Sequence, residues 1–136
     1  MTQQATLERT QKTFKPPVNA MVWSEIPVTD MNRAKTFYES VFLTSLIDEK
    51  DGPNPMAMFP CADPSSGIAG HLYPGKPAPA GTGPTVHLSV PDSVEAAMTR
   101  VADAGGQVVS PVIEIPAGRF AYCLDPDGNS IGLFSS

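Results

Sequence analysis

Glu25 and His87 stand 62 residues apart, at matching places in two stretches of this chain that read alike. Each sits on the polar side of a short apolar strand. Trp23, Glu25 and Pro27 alternate with Val22, Ser24, Ile26 and Val28, and Thr85, His87 and Ser89 alternate with Val86, Leu88 and Val90. A carboxylate and an imidazole turned toward one hollow can hydrogen-bond each other or anchor a polar ligand, and the carboxylate can serve as a general base. A carboxylate in an apolar hollow needs a partner, because alone it would be costly to keep charged. His87 is the expected partner of Glu25. Trp23 and Thr85 correspond under the same offset and add a flat apolar wall and a hydroxyl to the ligand-binding set.

Other local patterns carry less. Gly70-x-x-x-x-Gly75-Lys76 comes close to a phosphate-binding loop, but Pro77 replaces the hydroxyl residue and no apolar helix follows. Asp125-x-Asp127-Gly128 is too short for a calcium loop and reads as a tight turn. No Gly-x-Ser-x-Gly supports a serine nucleophile. Cys61 and Cys123 form neither a disulfide framework nor a Cys-x-x-Cys site, and read as small core hydrophobes. Arg119 reads as a surface cation and Tyr122 as a core residue.

The elements that must position these side chains come in two copies. Val28-Thr29-Asp30 and Val90-Pro91-Asp92 each close a strand and open a helix. In the first copy Asp30 is the expected N-cap, and Met31, Ala34, Phe37, Tyr38, Val41 and Phe42 recur at helical spacing. Thr44–Ile47, Met56–Phe59 and Ile68–Tyr73 follow as strands. In the second, Asp92 with Glu95 resembles a capping box, Val94, Ala97, Met98, Val101 and Ala102 form the buried stripe, and Gly105-Gly106 ends the helix. Val108–Ile113, Phe120–Leu124 and Ser130–Phe134 are the strands that follow. Each copy is strand, helix and three strands, and such a repeat means two similar modules packed as one domain. Residues 1–18 read as a polar tail and 19–136 as the domain. Module one spans about 20–73, a Pro- and Gly-rich linker 74–84, and module two about 85–136.

The chain has 136 residues, a net charge of −5 and 41% hydrophobic residues. That suffices for one packed core and offers no basic surface for nucleic acid or anionic membrane. No apolar run reaches the roughly 18 residues needed to cross a bilayer. The polar start lacks the apolar core of a secretory signal, so a reducing cytoplasm is the expected location.

Three stretches carry a family resemblance: Glu25-Ile26-Pro27-Val28-x-Asp30 with Ala34, Phe37-Tyr38 and Phe42; Asp92 through the helix to Gly105-Gly106; and Asp125-Pro126-Asp127-Gly128-Asn129-x-Ile131-Gly132-Leu133. With them the chain from Met21 to Ser136 resembles the vicinal-oxygen-chelate superfamily, which includes glyoxalase I, bleomycin-resistance proteins and extradiol dioxygenases. Its variants look most like the bacterial glyoxalase-related branch. Leu43 departs from the pattern, since a glycine often ends that helix. The resemblance implies an α+β fold in which two βαβββ modules form an open, cup-shaped barrel. It also implies a small-molecule ligand in the cup and a homodimer.

Members with metal chemistry hold a divalent ion on the first and last strand of each module, where it polarises two neighbouring oxygens of the substrate. At the four positions the resemblance aligns, this chain has Trp23, Thr85, Gly132 and His71. Only His71 is a strong ligand. A shifted set of Glu25, His71 and His87 would suit Zn, Fe, Ni or Mn. Two readings therefore stand. One is a protein that binds a small organic molecule without the usual four-ligand site, using Trp23, Glu25, Thr85 and His87. The other is a metal-dependent lyase, isomerase or dioxygenase, with Glu25 as base or ligand.

Overall fold

A computed structural model describes residues 14–136. Most of the expected N-terminal tail thus lies outside the described residues, and its remainder up to Val18 is exposed and free of regular structure. The first half contains β1 (Ser24–Val28), α1 (Met31–Phe42), β2 (Ile47–Glu49), β3 (Met56–Met58) and β4 (Gly70–Pro74). The second contains β5 (Val86–Ser89), α2 (Val94–Asp103), β6 (Gln107–Val108), β7 (Ile113–Ile115), β8 (Gly118–Leu124) and β9 (Ser130–Ser135). The expected strand from Met21 begins only at Ser24, and the expected strand Val108–Ile113 splits in two around Ser110-Pro111, where proline cannot donate to a ladder.

The strands form two mixed sheets, ordered β1-β4-β3-β2 and β5-β9-β8-β6, with β7 also pairing β8. In each, the first strand runs parallel to the last: Glu25 lies beside His71, and His87 beside Gly132. One face of each sheet is covered by a helix. Ile26, Val28, Ala57 and Leu72 are buried in the first sheet, and Ala121, Cys123, Ile131 and Leu133 in the second. The alternate residues face the other way, into an open cup.

The helix ends follow local chemistry. Asp30 caps α1 by accepting from the Arg33 amide at 3.1 Å. At α2 the cap is Ser93, not Asp92, and its hydroxyl accepts from the Ala96 amide at 3.0 Å. Asp92 instead forms a two-pronged pair with Arg100, at 2.7 and 2.8 Å. Leu43 ends α1 in the left-handed region, at φ 52° and ψ 51°, where glycine is usual.

The halves are joined through the Asp125–Asn129 turn. Asp125, 3% exposed, accepts from the Tyr38 hydroxyl at 2.7 Å. Asn129 donates to the Pro27 carbonyl at 2.8 Å, and Asp127 receives Thr29 and Arg33. Burial first, and then the Asp125 charge, push the Tyr38 hydroxyl well above its usual value of 10.0.

Two stability predictions follow from these contacts. Tyr38→Phe strands part of a buried carboxylate and costs about 1–3 kcal/mol in denaturant unfolding. The raised Tyr38 pKa means its stabilising contribution is complete below pH 10.0 and is lost as pH climbs toward the folded-state value. The parent protein should therefore lose stability more steeply above that pH than Tyr38→Phe does. Leu43→Gly removes the left-handed strain and should raise stability by about 0.5–1 kcal/mol, net of glycine's greater entropy loss.

Candidate functional site

A cavity of about 690 Å³ runs between the modules. Module one contributes Trp23, Phe42, Phe59 and Cys61, and module two the whole run from Thr85 to Pro91. A second hollow of about 480 Å³ adjoins it through His87 and Ser89 and is walled by Ile115, Phe120 and Phe134. The first draws on β5, which among the described residues has β9 on one side only. The second lies over the cup face of β8 and β9.

His87 shapes the second hollow. Its ring packs edge-to-face with Phe120 at 5.1 Å and 89°, and lies within 5.8 Å of Tyr122 and 6.4 Å of Phe134. Gly132, directly beside it on β9, makes this arrangement possible: a Cβ there would collide with the imidazole. Next to it the Thr85 and Ser130 hydroxyls meet at 2.6 Å.

In module one the corresponding pair is Glu25 and His71. The Trp23 indole N–H donates to His71 Nδ1 at 2.8 Å. An indole can only donate, so Nδ1 must be unprotonated and the neutral ring carries its proton on Nε2. That nitrogen faces Glu25 Oε1 at 3.4 Å, long for a hydrogen bond. His71 is 8% exposed, whereas the Glu25 side chain is 67% exposed. Glu25 lines a smaller cavity of about 120 Å³ with Pro27, Pro84 and Asn129.

The structure thus brings Trp23, Thr85 and His87 to one cleft and sets Glu25 with His71 beside it. The expected pairing of Glu25 with His87 is corrected. The neighbour of Glu25 is His71, across the β1–β4 rung, and His87 turns over Gly132 into an aromatic cluster. Among the described residues no three His, Cys, Asp or Glu side chains stand close enough to share an ion; Glu25 lies against His71, and His87 packs with Phe120. The superfamily's own four-ligand arrangement does not fit either. Three of its positions hold Trp23, Thr85 and Gly132, and Nδ1 of His71 is taken by Trp23.

Phe120, Phe134 and Phe59 were not singled out by the sequence, although alternation along β8 and β9 places Phe120, Tyr122, Gly132 and Phe134 on one face. Tyr122 belongs to this face rather than to the helix-covered core. Arg119 points the opposite way and is held by Glu95 at 2.9 Å. Cys123 is fully buried, which pushes its thiol up to about 11, whereas Cys61 borders the cleft.

The family model for the Glyoxalase/Bleomycin resistance protein/Dioxygenase superfamily matches residues 20–133. The chain is 31% identical over 118 residues to the mycobacterial protein named "Putative glyoxylase CFP32", in Mycobacterium tuberculosis and in Mycobacterium bovis. The match takes in 84% of this chain but 44% of that protein, so the chain spans about half the length of these curated relatives. Among solved structures, a glyoxalase/bleomycin resistance protein from Streptomyces sp. CB03234 is 25% identical with a TM-score of 0.59, over 85% of this chain and all of the other (100%). Glyoxalase I from Leishmania major shares the fold at a TM-score of 0.64 and 18% identity, over 86% of each chain.

The glycine at 132 yields a direct test. Gly132→Ala should leave the fold intact, because His87 is exposed and free to swing outward, but should move the His87 ring off its aromatic neighbours. Histidine ring shifts in NMR would report this. An unchanged His87 environment would contradict the assigned packing.

Proposed function

Since this chain belongs to the Glyoxalase/Bleomycin resistance protein/Dioxygenase superfamily, we propose that it binds a small organic molecule in the inter-module cleft, held by aromatic walls and hydroxyls rather than by the superfamily's four-ligand metal site. The observation that carries the reading is the occupation of one ligand position by Gly132 and of the space above it by the His87 ring. A side chain that could hold an ion is replaced by one that packs against rings. Trp23 supplies a flat wall and stays 43% exposed, so it remains free to cover a ligand. Thr85 and His87 supply hydrogen-bonding groups. Assembly as a homodimer belongs to the same proposal; the exposed Met21, Val22 and Leu43 offer apolar surface for it.

A second reading keeps catalysis. The Trp23–His71 hydrogen bond fixes the imidazole so that its Nε2 proton faces Glu25, and that exposed carboxylate, on the smaller cavity, is suited to take a proton from a carbon or hydroxyl acid bound there. If a turnover is found, Glu25→Gln should lower kcat by about 10²–10⁴-fold with little change in binding. Retention of full kcat would remove Glu25 from the mechanism.

Binding in the cleft has two independent reporters. Trp23 is the sole tryptophan, and Cys61 borders the same cavity. A ligand found by thermal-shift screening should change tryptophan emission and slow alkylation of Cys61, while Cys123 stays unreactive until the protein unfolds. Trp23→Ala should weaken that ligand about three- to tenfold. A ligand that binds stoichiometrically yet alters neither reporter places the site elsewhere.

A further inference from the structure

Among the described residues, the two joined hollows carry no Asp, Glu, Lys or Arg on their walls. The exclusion is structural. Arg119 adjoins Phe120 in sequence, but strand alternation sends it to the other face, where Glu95 and Glu114 hold it. Arg100 is bound to Asp92 and to the Val41 carbonyl at 2.8 Å. Lys35 pairs with Asp48 at 2.7 Å. Each of these cations is fixed by an acid outside the cleft.

What lines the cleft instead is aromatic and hydroxylic. Trp23, Phe42 and Phe59 stand on the module-one side, and His87, Phe120 and Phe134 on the other. Ring faces and edges of this kind pack best against another ring. Ser24, Thr85 and Ser89 offer hydroxyls that bond to a neutral oxygen or nitrogen.

Taking the cleft as the ligand site, we infer that its ligand is an uncharged aromatic molecule bearing a hydroxyl or carbonyl group, and that the cleft discriminates against ionised ligands. A ligand carboxylate or phosphate entering it loses water and meets no Lys or Arg among the described wall residues, and a ligand ammonium meets no Asp or Glu there. The net charge of −5 adds repulsion against anions during approach. A neutral phenol of the same size meets neither penalty.

The test uses three probes of one shape on the full chain at pH 8: 2-naphthol, 2-naphthoate and 2-naphthylmethylammonium, with affinities from titration calorimetry. The naphthol should bind at least tenfold more tightly than either ion, a difference of about 1.4 kcal/mol. Equal or tighter binding of naphthoate or of the ammonium overturns the charge rule while leaving the cleft as the site. Failure of all three to bind, or calorimetric binding with no response from Trp23 fluorescence, overturns the cleft reading as well. Ser89→Lys supplies the missing cation on an exposed position that lines both hollows. It should raise naphthoate affinity at least fivefold and leave the ammonium weaker. No change in that variant also overturns the inference.

Discussion

The Asp125 carboxylate accepts four hydrogen bonds: from the backbone amides of Asp127 and Asn129, the Asn129 side chain and the Tyr38 hydroxyl. Three come from its own turn and shape it; the fourth comes from the opposite module. A carboxylate this deeply buried is tolerable only when its lone pairs are filled, so the two modules are held to one relative position by the cost of separating them. Asn129 extends the joint to the Pro27 carbonyl, and Asp127 to Thr29 and Arg33 at the start of α1. The linker is held by the same turn, with the Gly81 amide on the Gly128 carbonyl at 3.0 Å. The cleft between the modules inherits its width from this joint.

The two modules share a backbone plan and differ at one rung. In module one the first and last strands present Glu25 and His71, and in module two His87 and Gly132. Each half thus carries one imidazole, but on opposite strands and in opposite circumstances. His71 is buried and held by Trp23, with Glu25 facing it at 3.4 Å. His87 is exposed and rests on a residue with no side chain. A duplicated frame permits this because strand pairing uses only the backbone, so either strand can carry the bulk provided its neighbour yields the space.

The same alternation sorts charge. Along β8, Arg119 is directed to the outer face and Phe120 to the cup, and the acids that hold Arg119 come from α2 and β7. Exposed pairs of this kind contribute little to stability. Their consequence here is where they place charge: the outer face of β8 carries it, and the face that bears Phe120 and Tyr122 does not. That aromatic wall favours dispersion and ring packing over ionic capture, which accords with a binding role for a neutral ligand.

Much of the frame was legible in the sequence. The Val28-Thr29-Asp30 and Val90-Pro91-Asp92 repeat, the helical spacing after each, and the Asp125–Asn129 turn identified the family and the strand faces, because periodicity and turn chemistry are local. Local reasoning also placed Glu25 and His87 on polar faces. It misjudged the α2 cap because Asp92 and Ser93 are both good caps, and only the distant Arg100 decides between them. It paired Glu25 with His87 because the offset equates them, whereas a side chain meets the residue across its own ladder before it meets its symmetry mate. Which partner Glu25 takes, how the nitrogens of His71 are used, and what fills the space above Gly132 depend on contacts between residues 45 to 48 positions apart, for which one strand's spacing holds no information.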